Sequence, residues 1–153
     1  MLRAQSSTEY IIVLGVVLVL LLITLSLMGF FSGFTTDTRA GESASYWANA
    51  ASPFSIIDWK FTGAALSVVM QNKAPAPLAL SSFTLTAGNL TYLASGLPYT
   101  FPSGGRTTLS FAVSDACQAD NYYEYDAALN YSTDSVTSIS WAGSKPLIVR
   151  CSG

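Results

Sequence analysis

The sequence predicts an α+β protein in which a long hydrophobic N-terminal α-helix precedes an antiparallel β-sandwich. Two observations lead to this fold class. From Tyr10 to Phe34 the chain runs for 25 residues without a charge. From about Ser52 onward, apolar and polar residues alternate in several short segments separated by turn residues, which is the pattern of half-buried β-strands.

Composition excludes several classes of protein. Of 153 residues, 50% are hydrophobic and 10% are charged, and mean hydropathy is +0.41, whereas disordered chains have low hydrophobicity and high net charge. Seven Lys and Arg against nine Asp and Glu do not supply the basic surface that binds nucleic acid. With no His and two Cys, we expect no enzyme, no cofactor and no metal centre.

The apolar segment 10–34 is predicted to cross a membrane. As a helix it would reach roughly 37 Å, and a hydrocarbon core is about 30 Å thick. About 120 further residues would not enclose a helix that is apolar on every face, and a cleaved secretory signal has a shorter apolar stretch. A plain single-pass anchor remains open. Arg3 precedes the segment, while Arg39 is offset by Asp37 and Glu42, which favours a cytoplasmic N-terminus and an external remainder.

The residues before the apolar segment are unusual for a plain anchor. Met1-Leu2-Arg3-Ala4 is a short basic leader, and Glu9 lies at the edge of the apolar run. A carboxylate drawn into an apolar bundle requires a partner. Cleavage between Ala4 and Gln5 would supply one, because the new amine of a neighbouring copy would then pair with Glu9.

This N-terminus resembles the archaeal type IV pilins, which carry class III signal peptides. Arg3 and Ala4 precede the cut, and Gln5, Ser7 and Glu9 match a Q-x-S-x-E pattern ahead of the hydrophobic helix. The resemblance implies that a prepilin peptidase cleaves between Ala4 and Gln5. It also implies that Glu9 and the Gln5 amine pair between subunits during assembly.

The match is incomplete in one place. The family usually has Leu four residues beyond the Glu, whereas this chain has Val13 followed by Leu14. Gln5 also differs from the Phe of bacterial pilins, and the helix lacks the Gly-rich start of archaeal flagellins. An N-terminal Gln can cyclise to a neutral lactam, so the proposed pairing with Glu9 requires that Gln5 stay uncyclised.

We predict three parts: a leader 1–4 and an assembly helix 5–50, whose cleavage and assembly the resemblance implies, and an extracellular β-sandwich 51–153. Gly15, Gly29 and Gly33 offer close helix contacts between copies, with local loosening of the helix as the other reading. Segment 35–50 is predicted to continue the helix beneath the sandwich, or else to form an amphipathic linker. The implied partners are other copies of the chain, a prepilin peptidase, an assembly ATPase and a platform protein, with the membrane holding the subunit before assembly.

The alternating segments predict seven or so strands and an immunoglobulin-like sandwich. Their apolar positions are Ile57, Trp59 and Phe61; Leu66, Val68 and Met70; Leu109, Phe111 and Val113; Tyr123, Tyr125, Ala127 and Leu129; and Leu147, Val149 and Cys151. Leu78–Thr86 and Val136–Trp141 are two further predicted strands. The Ala74-Pro75-Ala76-Pro77 stretch predicts a rigid connection between two strands.

Cys117 and Cys151 are predicted to form a disulfide, which suits an oxidising compartment. Asn89 and Asn130 begin Asn-x-Ser/Thr triplets and are candidate N-glycosylation sites. Such triplets also arise by chance.

Two side-chain clusters remain as candidate binding features. Asp115, Asp120, Glu124 and Asp126 would offer oxygen ligands to Ca²⁺, but their spacing is not that of an EF-hand, and a solvated strand face is favoured. Tyr122, Tyr123, Tyr125 and Tyr131 would form an adhesive or subunit-contact surface, with Tyr123 and Tyr125 favoured as core residues.

Together these features predict a structural subunit of an archaeal type IV pilus-like extracellular filament that serves adhesion. The low charge of the predicted sandwich fits surfaces that pack side by side. The alternative is a monomeric, membrane-anchored extracellular binding domain. The two differ in whether the leader is removed and whether Glu9 is needed.

Overall fold

A computed structural model describes residues 3–27, 30–114 and 116–152, with side chains described from residue 9 onward except for 30–34. The chain divides into two compact units, residues 1–38 and 39–153. Two α-helices come first, α1 (Arg3–Leu27) and α2 (Phe30–Ser45), and a π-helical segment, Tyr46–Ala50, follows α2. The predicted apolar helical segment, 10–34, corresponds to most of α1 and the beginning of α2.

Nine strands follow within the described residues. They are β1 (Phe54–Thr62), β2 (Ala65–Asn72), β3 (Leu78–Ala87), β4 (Leu90–Leu93), β5 (Tyr99–Phe101), β6 (Arg106–Ala112), β7 (Tyr122–Ser132), β8 (Ile139–Ala142) and β9 (Leu147–Arg150). An apolar N-terminal helix followed by antiparallel sheets confirms the predicted α+β fold class. The strands β4 and β5 were not predicted.

The strands form two antiparallel sheets. The first has the order β1–β2–β6. In the second, β3 and β7 are central partners; β4 and β5 pair with successive parts of β3, while β8 and β9 pair with successive parts of β7. Side chains alternate across each strand, and the apolar side chains that face inward from the two sheets form the core of the sandwich.

Aromatic side chains join the two sheets across the core. Phe83 of β3 and Phe111 of β6 meet edge to face with their ring centroids 5.0 Å apart, and Phe61 of β1 lies 6.4 Å from Tyr125 of β7. Such perpendicular ring pairs add to the free energy gained by burying their area. The largest fully buried side chains are Trp47, Phe54, Phe61, Phe83, Phe101, Phe111, Ile56, Leu66, Met70, Leu80, Leu85 and Leu129.

The alternation predicted for β1 is interrupted by a bulge. The register with β2 shifts between Ile56 and Asp58, so Ile56 is buried and Ile57 is half-buried. A bulge adds one residue to one strand and thereby changes which side chains face the core. The predicted strand at 136–141 likewise begins later, at Ile139, and Val136 is exposed.

Asn72, at the end of β2, fastens the loops beside it and is fully buried. Its Nδ2 lies 2.9 Å from the carbonyl oxygen of Ala76, 3.3 Å from that of Phe101 and 3.2 Å from that of Pro102. Its Oδ1 accepts a hydrogen bond from the Ala74 amide at 2.8 Å. One side chain therefore bonds to backbone groups of the β2–β3 connection, of the end of β5 and of the residue after it.

Replacing Asn72 with Ala is expected to lower the free energy of unfolding by at least about 2 kcal/mol, because several buried backbone groups would lose their partner. Asn72→Asp should cost more, since a carboxylate does not donate to carbonyl oxygens. Urea unfolding of the full chain in detergent micelles measures both. Gln71→Ala is the matched control, because the Gln71 side chain donates a hydrogen bond at the surface, to the Gly104 carbonyl oxygen. Equal losses of unfolding free energy for Gln71→Ala and Asn72→Ala would contradict the prediction.

Candidate functional site

Helix α1 presents an apolar surface on all of its sides. Its stretch Glu9–Leu27 is 19 residues long with a mean hydropathy of 3.0, and by length and composition it is able to cross a membrane. Every residue of that stretch is exposed within the single chain. The Thr24 hydroxyl donates to the Leu21 carbonyl oxygen at 2.9 Å, so this polar group is satisfied within the helix.

Gly15 lies in a shallow apolar groove on this helix, formed with Ile12, Val16, Val19 and Leu20. A Cβ atom at Gly15 would meet nothing within 4 Å in its own chain. Packing within the chain therefore does not explain a glycine here. Gly29 lies outside the described residues, so contact through Gly29 and Gly33 stays a prediction.

The predicted processing site lies at the beginning of α1. Ala4 and Gln5 belong to the helix, but their side chains lie outside the described part of the chain, as do Met1 and Leu2 of the leader altogether. Glu9 is exposed at the start of the apolar stretch. Cleavage after Ala4 and pairing of Glu9 with the Gln5 amine stay predictions.

Residues 39–50 pack against the sandwich: the π-helical segment lies on β1, and the side chains of Ser43, Tyr46 and Trp47 reach β8, β9 and the turn between them. We call this contact the docking seam. At its centre Ser43, which is 2% exposed, donates from Oγ to the Pro146 carbonyl oxygen at 2.7 Å and accepts from the Ile148 amide at 3.0 Å. The Tyr46 hydroxyl accepts from the Ser144 amide at 3.0 Å. The start of the second unit is therefore bonded directly to its last strand.

Trp47 fills the apolar part of the docking seam. It is 1% exposed and meets Trp141 of β8 edge to face at 5.8 Å between ring centroids. A Cβ atom at Gly143 would lie 2.5 Å from the indole ring, so this position must be glycine for the ring to fit. Among the described residues, no group accepts a hydrogen bond from Trp47 Nε1.

Ion pairs flank the docking seam. Arg39 forms a two-point pair with Glu124, with nitrogen–oxygen distances of 2.9 and 3.0 Å, and Lys145 lies 3.0 Å from Glu42. All four side chains are substantially exposed, and such pairs contribute little to stability.

The disulfide and the glycosylation triplets have clear positions. Cys117 and Cys151 are joined, with Cα atoms 5.8 Å apart. Asn89 is exposed at the tip of the β3–β4 hairpin, where Gly88 supplies the positive φ of 58° that this two-residue turn requires. Asn130 lies within β7 and its Nδ2 donates to Ser82 Oγ at 2.9 Å. The geometry makes Asn89 the better acceptor for a glycan; occupancy of either site stays a prediction.

The acidic residues do not converge. Asp120 pairs with Arg150 at 2.7 Å and Glu124 pairs with Arg39, while Asp115 lies outside the described residues. Within the described ranges, no three His, Cys, Asp or Glu side chains are placed to hold a metal ion. Glu124 and Asp126 lie on the exposed face of β7.

Two of the four predicted tyrosines, together with Tyr92, line a hollow of about 170 Å³ that we call the tyrosine cleft. Its walls are Ala87, Leu90, Tyr92, Val113, Tyr123, Glu124 and Tyr125. Tyr122 and Tyr131 do not line it, and Tyr131 packs instead on Phe54. Tyr92 was missed because it lies on β4, a short edge strand whose exposed residues show no apolar alternation.

Burial raises the pKa of Tyr125 to about 12, with smaller contributions from Tyr92 and Tyr123. A raised acid pKa means that the folded state holds the proton more tightly. The contribution of Tyr125 to the free energy of unfolding is therefore fully present below the ordinary tyrosine pKa of about 10. It is lost as the pH rises from that value toward the folded-state pKa.

We expect the ultraviolet absorbance of tyrosinate to show a late ionisation step near pH 12 that belongs to Tyr125. The Tyr125→Phe variant should lack this step, while Tyr131→Phe should retain it. Coincident titration curves for Tyr125→Phe and the unmodified chain would contradict the assignment.

Comparison with known proteins gives remote structural likenesses. No protein-family model and no curated protein matches the chain. The archaellum periplasmic stator protein complex FlaF and FlaG from Sulfolobus acidocaldarius contains a chain with 12% identity and a TM-score of 0.38, covering 60% of this chain and 89% of that one. A putative late embryogenesis abundant protein has 18% identity and a TM-score of 0.43, covering 83% and 87%. Neither likeness carries an argument about function.

Proposed function

We propose that this chain is a structural, non-enzymatic subunit of an archaeal type IV pilus-like extracellular filament that serves adhesion. The observation that carries the proposal is the stretch Glu9–Leu27, which is apolar on every side and exposed along its whole length in the single chain. Water is a poor solvent for such a surface. Lipid covers it before assembly, and the same helix of other copies covers it in the filament.

The position of Glu9 supports copies of the chain, rather than lipid alone, as the final environment. Its carboxylate lies at the border of the apolar stretch and is exposed. In a bundle of helices this charge needs an opposite charge nearby. Gln5 is one helical turn earlier, about 6 Å along the axis, so a neighbour displaced by roughly one turn brings its N-terminal amine to Glu9.

The disulfide supports an external sandwich. Cys117 and Cys151 are bonded, and such bonds persist mainly in oxidising compartments outside the cytoplasm. In this proposal the leader stays cytoplasmic until a prepilin peptidase removes it. An assembly ATPase and a platform protein then add the subunit to the filament at the cell surface.

Mass spectrometry of the N-terminal peptide tests the proposal, on protein from membranes and from sheared extracellular material. We expect the sheared fraction to begin at Gln5 with a free amine. A chain that begins at Met1 and is confined to membranes would contradict the proposal and favour the membrane-anchored binding domain. A start near Gly41 would indicate a secreted sandwich, and a Gln5 found wholly as the lactam would refute the pairing with Glu9.

A further inference from the structure

Two cations and a carboxylate lie on the outer surfaces of the sandwich without a partner in their own chain. Lys60 of β1 and Arg106 of β6 are exposed and point away from the core side of the first sheet, and Asp126 of β7 does the same on the second sheet. Within the described part of the chain, none of the three belongs to an ion pair. Contacts inside one chain therefore do not use these charges.

We call the outer surface of the first sheet the basic face and that of the second sheet the acidic face. The basic face includes Lys60, Ser67, Val69, Arg106, Thr108 and Ser110. The acidic face includes Ser82, Thr84, Thr86, Asp126, Ala128 and Asn130. Apart from the charged groups these side chains are short, so they lose little conformational entropy on burial. Two such faces are able to approach to the spacing of stacked sheets, about 10 Å.

The two faces carry opposite net charge. On the basic face, two cations outweigh the exposed carboxylate of Asp58. On the acidic face, the outward-pointing Glu124 is balanced by its pair with Arg39, so Asp126 leaves this face negative. Complementary charges of this kind bring two surfaces together and fix how they align.

Lys60 and Asp126 lie back to back across the sandwich. The residues that follow Lys60 and precede Asp126 are Phe61 and Tyr125, whose rings face each other in the core with centroids 6.4 Å apart. Because side chains alternate along a strand, Lys60 and Asp126 point outward in opposite directions at the same level. A second copy displaced sideways, without a shift along the strands, therefore brings its Asp126 opposite Lys60.

A second cation and a second carboxylate follow the same order. Arg106 lies opposite Gln71 of β2, at the end of the sandwich where Phe54 of β1 contacts Tyr131 of β7 edge to face. Asp134 is exposed after the end of β7 on the same side of the strand order, and it has no ion pair among the described residues. One sideways displacement therefore brings cations and carboxylates to the same level at both ends of the faces.

We propose that the basic face of one copy docks on the acidic face of the next, with Lys60 paired to Asp126. The two surfaces in this contact differ, so each copy keeps one face free for a further copy. Contacts of this kind produce closed rings or open helical polymers, and the open form is a filament. A two-fold dimer through either face would instead bring like charges together. The inference rests on the proposed filament and adds a contact between sandwiches to the contact between helices.

Zero-length cross-linking of sheared filaments tests the pairing. A water-soluble carbodiimide joins an amine to a carboxylate as an amide, and we expect mass spectrometry to find Lys60 linked to Asp126. Because these residues lie on opposite sides of one sandwich, this link joins two copies. Lys145 and Glu42, which are 3.0 Å apart in one chain, provide the positive control. Lys60→Arg keeps the charge without the amine, so it should assemble normally and lose the link.

Charge reversal tests whether assembly needs the pairing. Asp126→Lys should lower the amount of chain in sheared extracellular material at least about tenfold, because cations then meet where the faces close. Lys60→Asp should lower it similarly, and the double variant should restore most of it. The matched control is Glu42→Lys, which makes the same change of charge at an exposed site outside both faces and should change the amount less than about twofold.

The changed side chains are exposed, so the variants should fold, and protease resistance of the membrane fraction checks this. Filaments that lack the link and tolerate Asp126→Lys would overturn the inference while the filament stands. A double variant no better than the single ones would overturn the pairing, as would a glycan on Asn130 in filaments, since Asn130 lies within the acidic face. A chain that begins at Met1 and forms no filament would overturn the proposed function and this contact with it.

Discussion

Replacing Glu9 with Ala is expected to leave membrane insertion and leader removal intact while abolishing export into sheared extracellular material. Insertion depends on the apolar stretch, which the change makes more apolar. Assembly depends on compensation of the N-terminal amine, which would enter the bundle of helices without an opposite charge. A buried charge deprived of its partner costs about 3–5 kcal/mol for each subunit contact, and this loss recurs along a polymer.

The matched control is Glu42→Ala. Glu42 is also a helical glutamate, but it lies in the second unit and its partner is the exposed Lys145, so its loss should change assembly little. Immunoblots of membrane and sheared fractions, with the N-terminal residue determined in each, measure both variants. Filaments of normal abundance from Glu9→Ala would contradict the assembly role, whereas the anchored binding domain tolerates that change.

Trp47→Ala is expected to lower the free energy of unfolding of the second unit by about 3–5 kcal/mol, as large-to-small changes of buried aromatics do. The indole is almost completely buried between Trp141 and Gly143, and its removal leaves a cavity at the centre of the docking seam. Pulse proteolysis across a urea series on the full chain in micelles measures this loss.

Trp47→Phe separates packing from polarity. Phe keeps an aromatic ring in the seam and removes Nε1, which has no hydrogen-bond acceptor among the described residues. The loss should therefore be clearly smaller than for Ala. Gly143→Ala should also lower the free energy of unfolding, because the added carbon meets the indole ring. Unchanged stability of Gly143→Ala would contradict this close contact.

Sequence periodicity was sufficient for the elements with strong, local patterns. The apolar run predicted α1, and alternating residues predicted the long strands that form the centres of the sheets, because burial of one face dictates that pattern. The edge strands β4 and β5 were missed, since most of their side chains are exposed. The bulge in β1 was also missed, because it is a shift in the pairing of β1 with β2 and cannot be seen in the residues of β1 alone.

The contacts that organise the molecule beyond these elements depend on residues far apart in sequence. In the sequence, Ser43 does not differ from any other helical serine. No pattern near Trp47 indicates that it packs on Gly143, which is far along the chain. The tyrosine cleft requires the β3–β4 hairpin beside the start of β7, so Tyr92 and Tyr125 meet only in the folded chain. The sequence therefore predicted the fold class and a helical segment beneath the sandwich, but not the individual contacts of the docking seam or the place of Tyr92 in the cleft. The processing site at Ala4 and Gln5 stays a prediction.

The hydrogen bonds of Ser43 also impose an order of events during synthesis. Its partners Pro146 and Ile148 are 103 and 105 residues further along the chain, and contacts between distant residues form late because a long loop must close first. A ribosome releases α1 and α2 well before β9. In the proposed filament subunit, the apolar helix would therefore reach the membrane while the sandwich is incomplete, and β9 would then complete the attachment of residues 39–50.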